Sequence, residues 1–195
     1  MPRFNRHPYE KDSDGLILRV PQERKDDEGR LWSASANAET AYLGKTLWKA
    51  GFGLDVDYWR FSVGSDLDWV VEGRFKDALY LGSTNGRFTL IMRPRMRLRV
   101  GGGAQYMIDG RTPGQGNREY ASGPNITTDV DLFPVQPFTV SGRLDYGTLY
   151  KAPSVLAQAT VGVVFRGVQV YGGYEFRRVG NVSMQGPVGG LRVWF

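Results

Sequence analysis

Three pairs of aspartates, Asp55/Asp57, Asp66/Asp68 and Asp129/Asp131, have the spacing that most suggests chemistry in this chain. On a strand, residues i and i+2 share a face, so each pair presents two carboxyls side by side. Such a pair can act as acid and base or hold a cation. The same spacing recurs in the basic run Arg95, Arg97 and Arg99, and in the mixed pairs Arg143/Asp145 and Glu175/Arg177. An arginine column facing aspartate columns neutralises both, and charges withdrawn from water must be paired or hydrated. We therefore expect a structural charge network of Arg95, Arg97, Arg99, Asp129, Asp131, Arg143, Asp145, Glu175, Arg177 and Arg192 rather than a catalytic pair.

Other chemistry has less to work with. The single histidine, His7, lies in a polar leader, which leaves a serine nucleophile without a base and a histidine metal site without ligands. With no cysteine, disulfides, thiolate metal sites and a cysteine nucleophile are excluded. Asp12-Ser13-Asp14-Gly15 starts like a calcium loop but lacks the third acidic position and the distal glutamate. Gly101-Gly102-Gly103 lies inside a strand pattern, not at a strand-to-helix turn, so it is no phosphate loop. The chain is not expected to be an enzyme, and no catalytic residue, metal or cofactor is assigned. Its net charge of +5 is scattered among the strands rather than gathered in a tract, so nucleic acid is not an expected partner.

The elements that must position these residues are strands. The 195 residues include 26 Gly, 10 Tyr and 10 Phe, and no apolar run approaches the ~18 residues of a membrane-spanning helix. Residues 1–30 read as a polar, poorly ordered N-terminal leader in which only Leu16–Val20 could dock, with no secretory signal visible. From residue 31 the pattern has period two. Met96, Leu98, Val100, Ala104, Tyr106 and Ile108 oppose Arg97, Arg99, Gly103 and Gln105; Trp48, Phe52, Leu54, Val56 and Tyr58 oppose Lys49, Asp55 and Asp57. The pattern predicts strands over 31–42, 46–57, 59–72, 86–93, 95–108, 126–133, 138–147, 155–165, 168–178 and 186–195. A bulge at Tyr58-Trp59 would make the count eight instead of ten. Tight turns at 93–94, 133–137 and 166–167 alternate with longer connections at 73–86, 109–125, 147–153 and 178–186. The expected fold is all-β: a closed antiparallel up-and-down barrel over 31–195.

The last strand carries a resemblance. Leu191, Val193 and Phe195 fall on one face, and Gly190, Val193 and Phe195 resemble the C-terminal assembly signal of bacterial outer-membrane β-barrel proteins, with a glycine five residues before a terminal aromatic. Val188 departs from the polar residue usual there. The architecture is similar to the OmpA/OmpX-like class of small barrels. The resemblance implies short turns at one end, longer loops at the other, a bacterial outer-membrane location, and lipid and the barrel-assembly machinery as partners.

Period two shows that the faces differ, not which one meets water. A soluble lipocalin-like barrel binding an apolar small molecule would place the apolar face inside. Three features favour the membrane: a polar face rich in Gly, Ser and Thr, aromatics near strand ends, and Ala, Val and Gly at mid-strand on the apolar face. The expected protein is an integral outer-membrane barrel with a charged, mostly plugged lumen. Its structural or surface-interaction role would run through extracellular loops, loop 109–125 above all.

Overall fold

The computed structural model describes residues 3–10, 13–18, 30–44, 46–73, 78–110 and 120–195. Two short strands, β1 (Arg3–Phe4) and β2 (Ile17–Leu18), pair antiparallel ahead of the barrel. Ten long strands follow. They are β3 (Trp32–Tyr42), β4 (Leu47–Tyr58), β5 (Phe61–Glu72), β6 (Ala78–Arg93), β7 (Met96–Gly110), β8 (Tyr120–Leu132), β9 (Phe138–Leu149), β10 (Ala152–Phe165), β11 (Val168–Val179) and β12 (Val182–Trp194). Each is antiparallel to its sequence neighbour, and β12 pairs with β3, from Val188 opposite Ala41 to Trp194 opposite Ser35. That last seam closes the sheet and leaves the barrel no free edge.

Ten strands, not eight, form the wall. Trp59 and Arg60 make a two-residue turn between β4 and β5, with Tyr58 opposite Phe61, so the shift of alternation there is a turn and not a bulge. The register irregularity lies instead in β6, between Thr89 and Ile91. At the β10–β11 corner, Arg166 and Gly167 both take positive φ (48° and 84°), a backbone twist that matches two flanking antiparallel strands.

The far ends of the strands differ from the sequence expectation. β6 starts at Ala78 instead of 86, β8 at Tyr120 instead of 126, and β12 at Val182 instead of 186. The connections expected at 147–153 and 178–186 contract to two-residue turns at 150–151 and 180–181. The reason is that the backbone ladder continues beyond the apolar band. There the outward positions turn polar (Ser122, Ser183, Gln185), so alternation fades while the hydrogen bonds persist. Of the expected loop 109–125, both flanks belong to β7 and β8; its centre, 111–119, lies outside the described residues.

The faces are decisive. Apolar side chains point outward and stay exposed, among them Phe52, Leu54, Val56, Val63, Leu67, Ile126, Leu144, Val161, Val170 and Leu191. The alternate positions, including Asp57, Asp68, Arg87, Arg97, Arg99, Asp129, Asp131 and Glu175, are buried inside the barrel. A soluble ligand-binding barrel has the reverse arrangement, which corrects that alternative. An apolar exterior closed into a barrel satisfies its backbone hydrogen bonds internally, as hydrocarbon requires. This is a membrane-spanning barrel.

Exposed aromatics form two belts. At the end of the barrel holding the turns 59–60, 94–95, 133–137 and 166–167 stand Trp32, Tyr58, Trp59, Phe61, Phe88, Phe138, Phe165 and Phe195. At the opposite end stand Tyr42, Trp48, Trp69, Tyr80, Tyr120, Tyr146 and Tyr174. Amphipathic rings at these levels suit the two membrane interfaces. We call the first the turn end and the second the loop end.

Within the leader, the expected docking segment is joined by residues the pattern does not mark. Phe4, Tyr9, Leu16 and Ile17 are buried in one cluster with Phe133, Val164 and Trp194, with Met92 against it. Phe133 is thus inside the turn end rather than in an outer belt. The Tyr9 ring meets Phe133 edge-on at 6.1 Å, and its hydroxyl donates to the carbonyls of Phe138 and, at 3.3 Å, Val135. Phe4, Tyr9, Leu16 and Ile17 of the leader therefore pack into the barrel mouth.

Candidate functional site

The inward positions of the ten strands build a charge network along the lumen. It has two groups, set by how far along its strand each residue sits. Near the turn end, β7 and β8 place Arg97 opposite Asp131 and Arg99 opposite Asp129. Arg97 forks onto Asp131, Nη2 at 2.8 Å and Nε at 3.1 Å, and reaches Asp57 on β4 across the lumen at 2.7 Å. Arg99 also meets Asp57, at 3.3 Å, and Asp131, at 3.5 Å. Arg87 on β6 joins Asp129, at 2.8 Å, to Asp55. Arg192 lies 3.9 Å from Asp131, with its guanidinium over the rings of Tyr171 and Trp194, each 5.7 Å away.

Toward the loop end the partners change. Arg143 donates to Asp145 from Nε at 2.9 Å, to Asp66 at 2.6 Å and to Ser83 at 3.2 Å. Lys49 binds Glu39 at 2.5 Å and also Glu175, three strands away around the wall. Arg177 binds Asp68 and lies 3.2 Å from Glu175. Glu39 further accepts from Tyr171 at 3.1 Å and from Gln158 at 3.2 Å. Planar guanidinium forks account for most of these contacts, and they make charge-assisted bonds stronger than neutral ones.

The sequence-predicted residues fall as follows. Arg97, Arg99, Asp129, Asp131, Arg143, Asp145, Glu175 and Arg177 all face the lumen and meet oppositely charged partners there. Arg95 does not belong with them. It sits in the turn after Pro94, its side chain 63% exposed, and pairs with Asp14 of the leader at 3.3 Å. The strand starts at Met96, one residue later than expected, so the arginine column loses its first member to the rim. Arg192 pairs toward Asp131 rather than toward Glu175 and Arg177, because Glu175 lies near the loop end. Sequence reasoning missed Glu39, Lys49 and Arg87 as members. Lys49 and Arg87 share the face of neighbouring inward residues on their strands, which is the signal that would have found them.

The three aspartate pairs are thus each held by a basic group: Asp55 and Asp129 by Arg87, Asp57 and Asp131 by Arg97, Asp66 by Arg143, Asp68 by Arg177. Among the described residues no three His, Cys, Asp or Glu converge as a metal site. Asp14, of the calcium-loop-like motif, is engaged by Arg95, and His7 Nδ1 lies 3.0 Å from the Pro8 carbonyl.

The two groups differ in charge. The turn-end group sets Asp55, Asp57, Asp129 and Asp131 against Arg87, Arg97, Arg99 and Arg192 and is balanced. The loop-end group sets Glu39, Asp66, Asp68, Asp145 and Glu175 against Lys49, Arg143 and Arg177, an excess of carboxylate. It lines a cavity of about 60 Å³, and a second of about 60 Å³ lies among Asp55, Arg87, Arg99, Asp129 and Arg192, so each charged group has space for water beside it. Above the loop-end group, Ala41, Leu43, Val70, Leu81, Leu149, Met184 and Val188 pack together inside the loop end. Charged middle, apolar ends: that is the order along the lumen.

The C-terminal residues complete the seam. Gly190 lies beneath Tyr171: a Cβ there would stand 2.7 Å from the Tyr171 ring and 2.6 Å from the Ala38 carbonyl oxygen. Val193 and Phe195 face outward, and the Phe195 amide donates to the Ala34 carbonyl at 2.9 Å.

Neither a protein-family model nor a curated protein matches the chain. Among solved structures, the N-terminal β-barrel domain of Pseudomonas aeruginosa OprF aligns at 11% identity and a TM-score of 0.47, covering 84% of this chain and 97% of that one. The NanC porin aligns at 10% identity and 0.47, covering 82% and 98%. The KdgM porin in complex with disordered oligogalacturonate aligns at 11% and 0.43, covering 84% and 99%. The membrane assignment rests on this barrel's own two faces.

Proposed function

We propose that this chain is an integral barrel of the bacterial outer membrane whose lumen passes little or no current, and whose role is structural or surface-interacting. The observation that carries the reading is the order of the lumen: an interlocked charge network between two packed apolar clusters, one of them completed by the leader. A water-filled pore needs continuous polar space, whereas packed apolar side chains leave none for water. Lipid would surround the apolar exterior, and the assembly machinery would recognise the closing strand through Gly190, Val193 and Phe195. Surface partners would meet the loop end, around residues 109–125. No catalysis is assigned, since the paired carboxylates are engaged with arginines. Nucleic acid is no partner in this reading.

The test has two parts. Purified protein in detergent should migrate faster unheated than boiled on a denaturing gel, because the folded barrel resists unfolding; full solubility without detergent would sink the membrane reading. In planar bilayers the folded protein should show no large steady conductance. A stable open channel would overturn the plugged lumen and leave the barrel intact.

A further inference from the structure

The turn end carries an arginine at four of its five corners. Arg30 stands at the seam of β12 and β3, Arg60 between β4 and β5, Arg93 with Arg95 between β6 and β7, and Arg166 between β10 and β11. The fifth corner, 133–137, is where Tyr9 docks. The turns 59–60, 93–95, 133–137 and 166–167 contain no acidic residue. Arg95 is taken by Asp14, Glu10 accepts from the Arg6 amide at 2.6 Å, and the C-terminal carboxylate of Phe195 also lies at this end. Among the described residues, Arg30, Arg60, Arg93 and Arg166 have no carboxylate partner.

Their setting is shared. The Arg30 guanidinium lies 5.0 Å over the exposed Trp32 ring, and that of Arg166 5.2 Å over the exposed Phe165 ring. Arg60 follows Trp59 in the same turn. A guanidinium lying on a ring face keeps its in-plane N–H groups free to donate. Arg30 and Arg166 therefore sit at the aromatic belt, the depth of lipid headgroups, with donors available; Arg60 donates one N–H to the Thr89 carbonyl at 3.4 Å and Arg93 is exposed on the same rim. The opposite rim is mixed, with Glu72 alongside Lys151 and Arg178.

We propose that this rim binds anionic phospholipid headgroups of the turn-end leaflet. The arrangement selects a lipid surface over a soluble anion because the arginines do not converge: they are spread around the circumference at separate corners of the turn end. A lattice of headgroups presents one phosphate to each. The inference rests on the membrane reading above.

The experiment uses the full chain refolded into phosphatidylcholine vesicles containing brominated phosphatidylcholine or brominated phosphatidylglycerol, with tryptophan quenching as the readout. The expected result is a preference of about fivefold for phosphatidylglycerol, the scale of one basic residue at an anionic surface. Replacing Arg30, Arg60, Arg93 and Arg166 together by Gln should bring the preference to unity, replacement by Lys should retain most of it, and Lys151→Gln with Arg178→Gln should leave it unchanged. Heat-modifiable migration of every variant verifies folding. Equal affinity of the wild type for both lipids, or a preference surviving the Gln variant, overturns the proposal. So does loss of the preference on adding inorganic phosphate at constant ionic strength, which would mark a soluble-anion site. Failure to insert into any vesicle overturns the membrane reading instead.

Discussion

Arg97 and Arg95 are two residues apart in sequence and differ completely in what they hold. Arg97 is buried and shared by Asp57 and Asp131, so Arg97→Gln leaves both carboxylates to the longer contacts of Arg99 and tips the balanced group to a net negative charge. Removing one partner of an isolated buried pair costs about 3–5 kcal/mol, an upper bound here because Arg99 remains within reach of both acids. Arg95 is exposed and has one exposed partner, so Arg95→Gln should stay within about 0.5 kcal/mol of wild type. Urea unfolding in lipid vesicles measures both, and equal effects would refute the assignment of Arg95 to the rim. Charge balance separates the acids in the same way. Asp131→Asn removes a carboxylate from the balanced group and should destabilise. Asp66→Asn removes one from the group with excess carboxylate and should be neutral or stabilising by comparison. Gly190→Ala belongs at this scale too: its methyl must displace the Tyr171 ring or the Ala38 backbone, an overpacking cost of about 1–3 kcal/mol.

The leader is an element held by few contacts, which makes it titratable. Burial pushes the Tyr9 phenol from its ordinary value near 10 up to about 12. The neutral phenol donates to Phe138 and Val135, so docking is fully supported below pH 10. Once released, the phenol ionises near 10, so docking weakens as pH rises from 10 and its contribution is lost at about 12. A bimane attached through Arg6→Cys, the only thiol in the chain, should report release across that interval. Tyr9→Phe should release at no particular pH in the same range; an identical transition there would exclude Tyr9 as the cause. This element was only partly legible in the sequence. Leu16 and Ile17 lay within the segment expected to dock, but Phe4 and Tyr9 sit irregularly in a polar stretch with no period to mark a buried face. The strands were legible wherever lipid-facing residues alternate with lumen residues, as in β4 and β7. Their loop-end extensions were not, because outward serines and glutamine there remove the contrast. Among ion pairs, Arg97–Asp131 was accessible because β7 and β8 are sequence neighbours. Lys49–Glu175 was not, because it spans β4 to β11 and exists only once β12 meets β3.

At the scale of the whole barrel, the two apolar clusters act in series, and a path for ions must pass both. Releasing the leader with Phe4→Asp and Leu16→Asp opens the turn end alone, where Phe133, Val164 and Trp194 remain on the wall. The loop-end cluster still stands in the path, so this variant should conduct no more than wild type in a planar bilayer. Leu81→Gly with Met184→Ala thins the loop-end cluster while leaving the turn end intact, and should likewise stay closed. Combining the four substitutions thins both barriers at once and leaves the charge network along the path between them. Conductance should then appear, and its reversal potential under a salt gradient should favour cations, because the loop-end group has more carboxylates than basic groups. Current through either partial variant would show that one cluster alone holds the lumen closed. Anion selectivity in the combined variant would mean that the arginines, and not the surplus carboxylates, set the field inside the barrel.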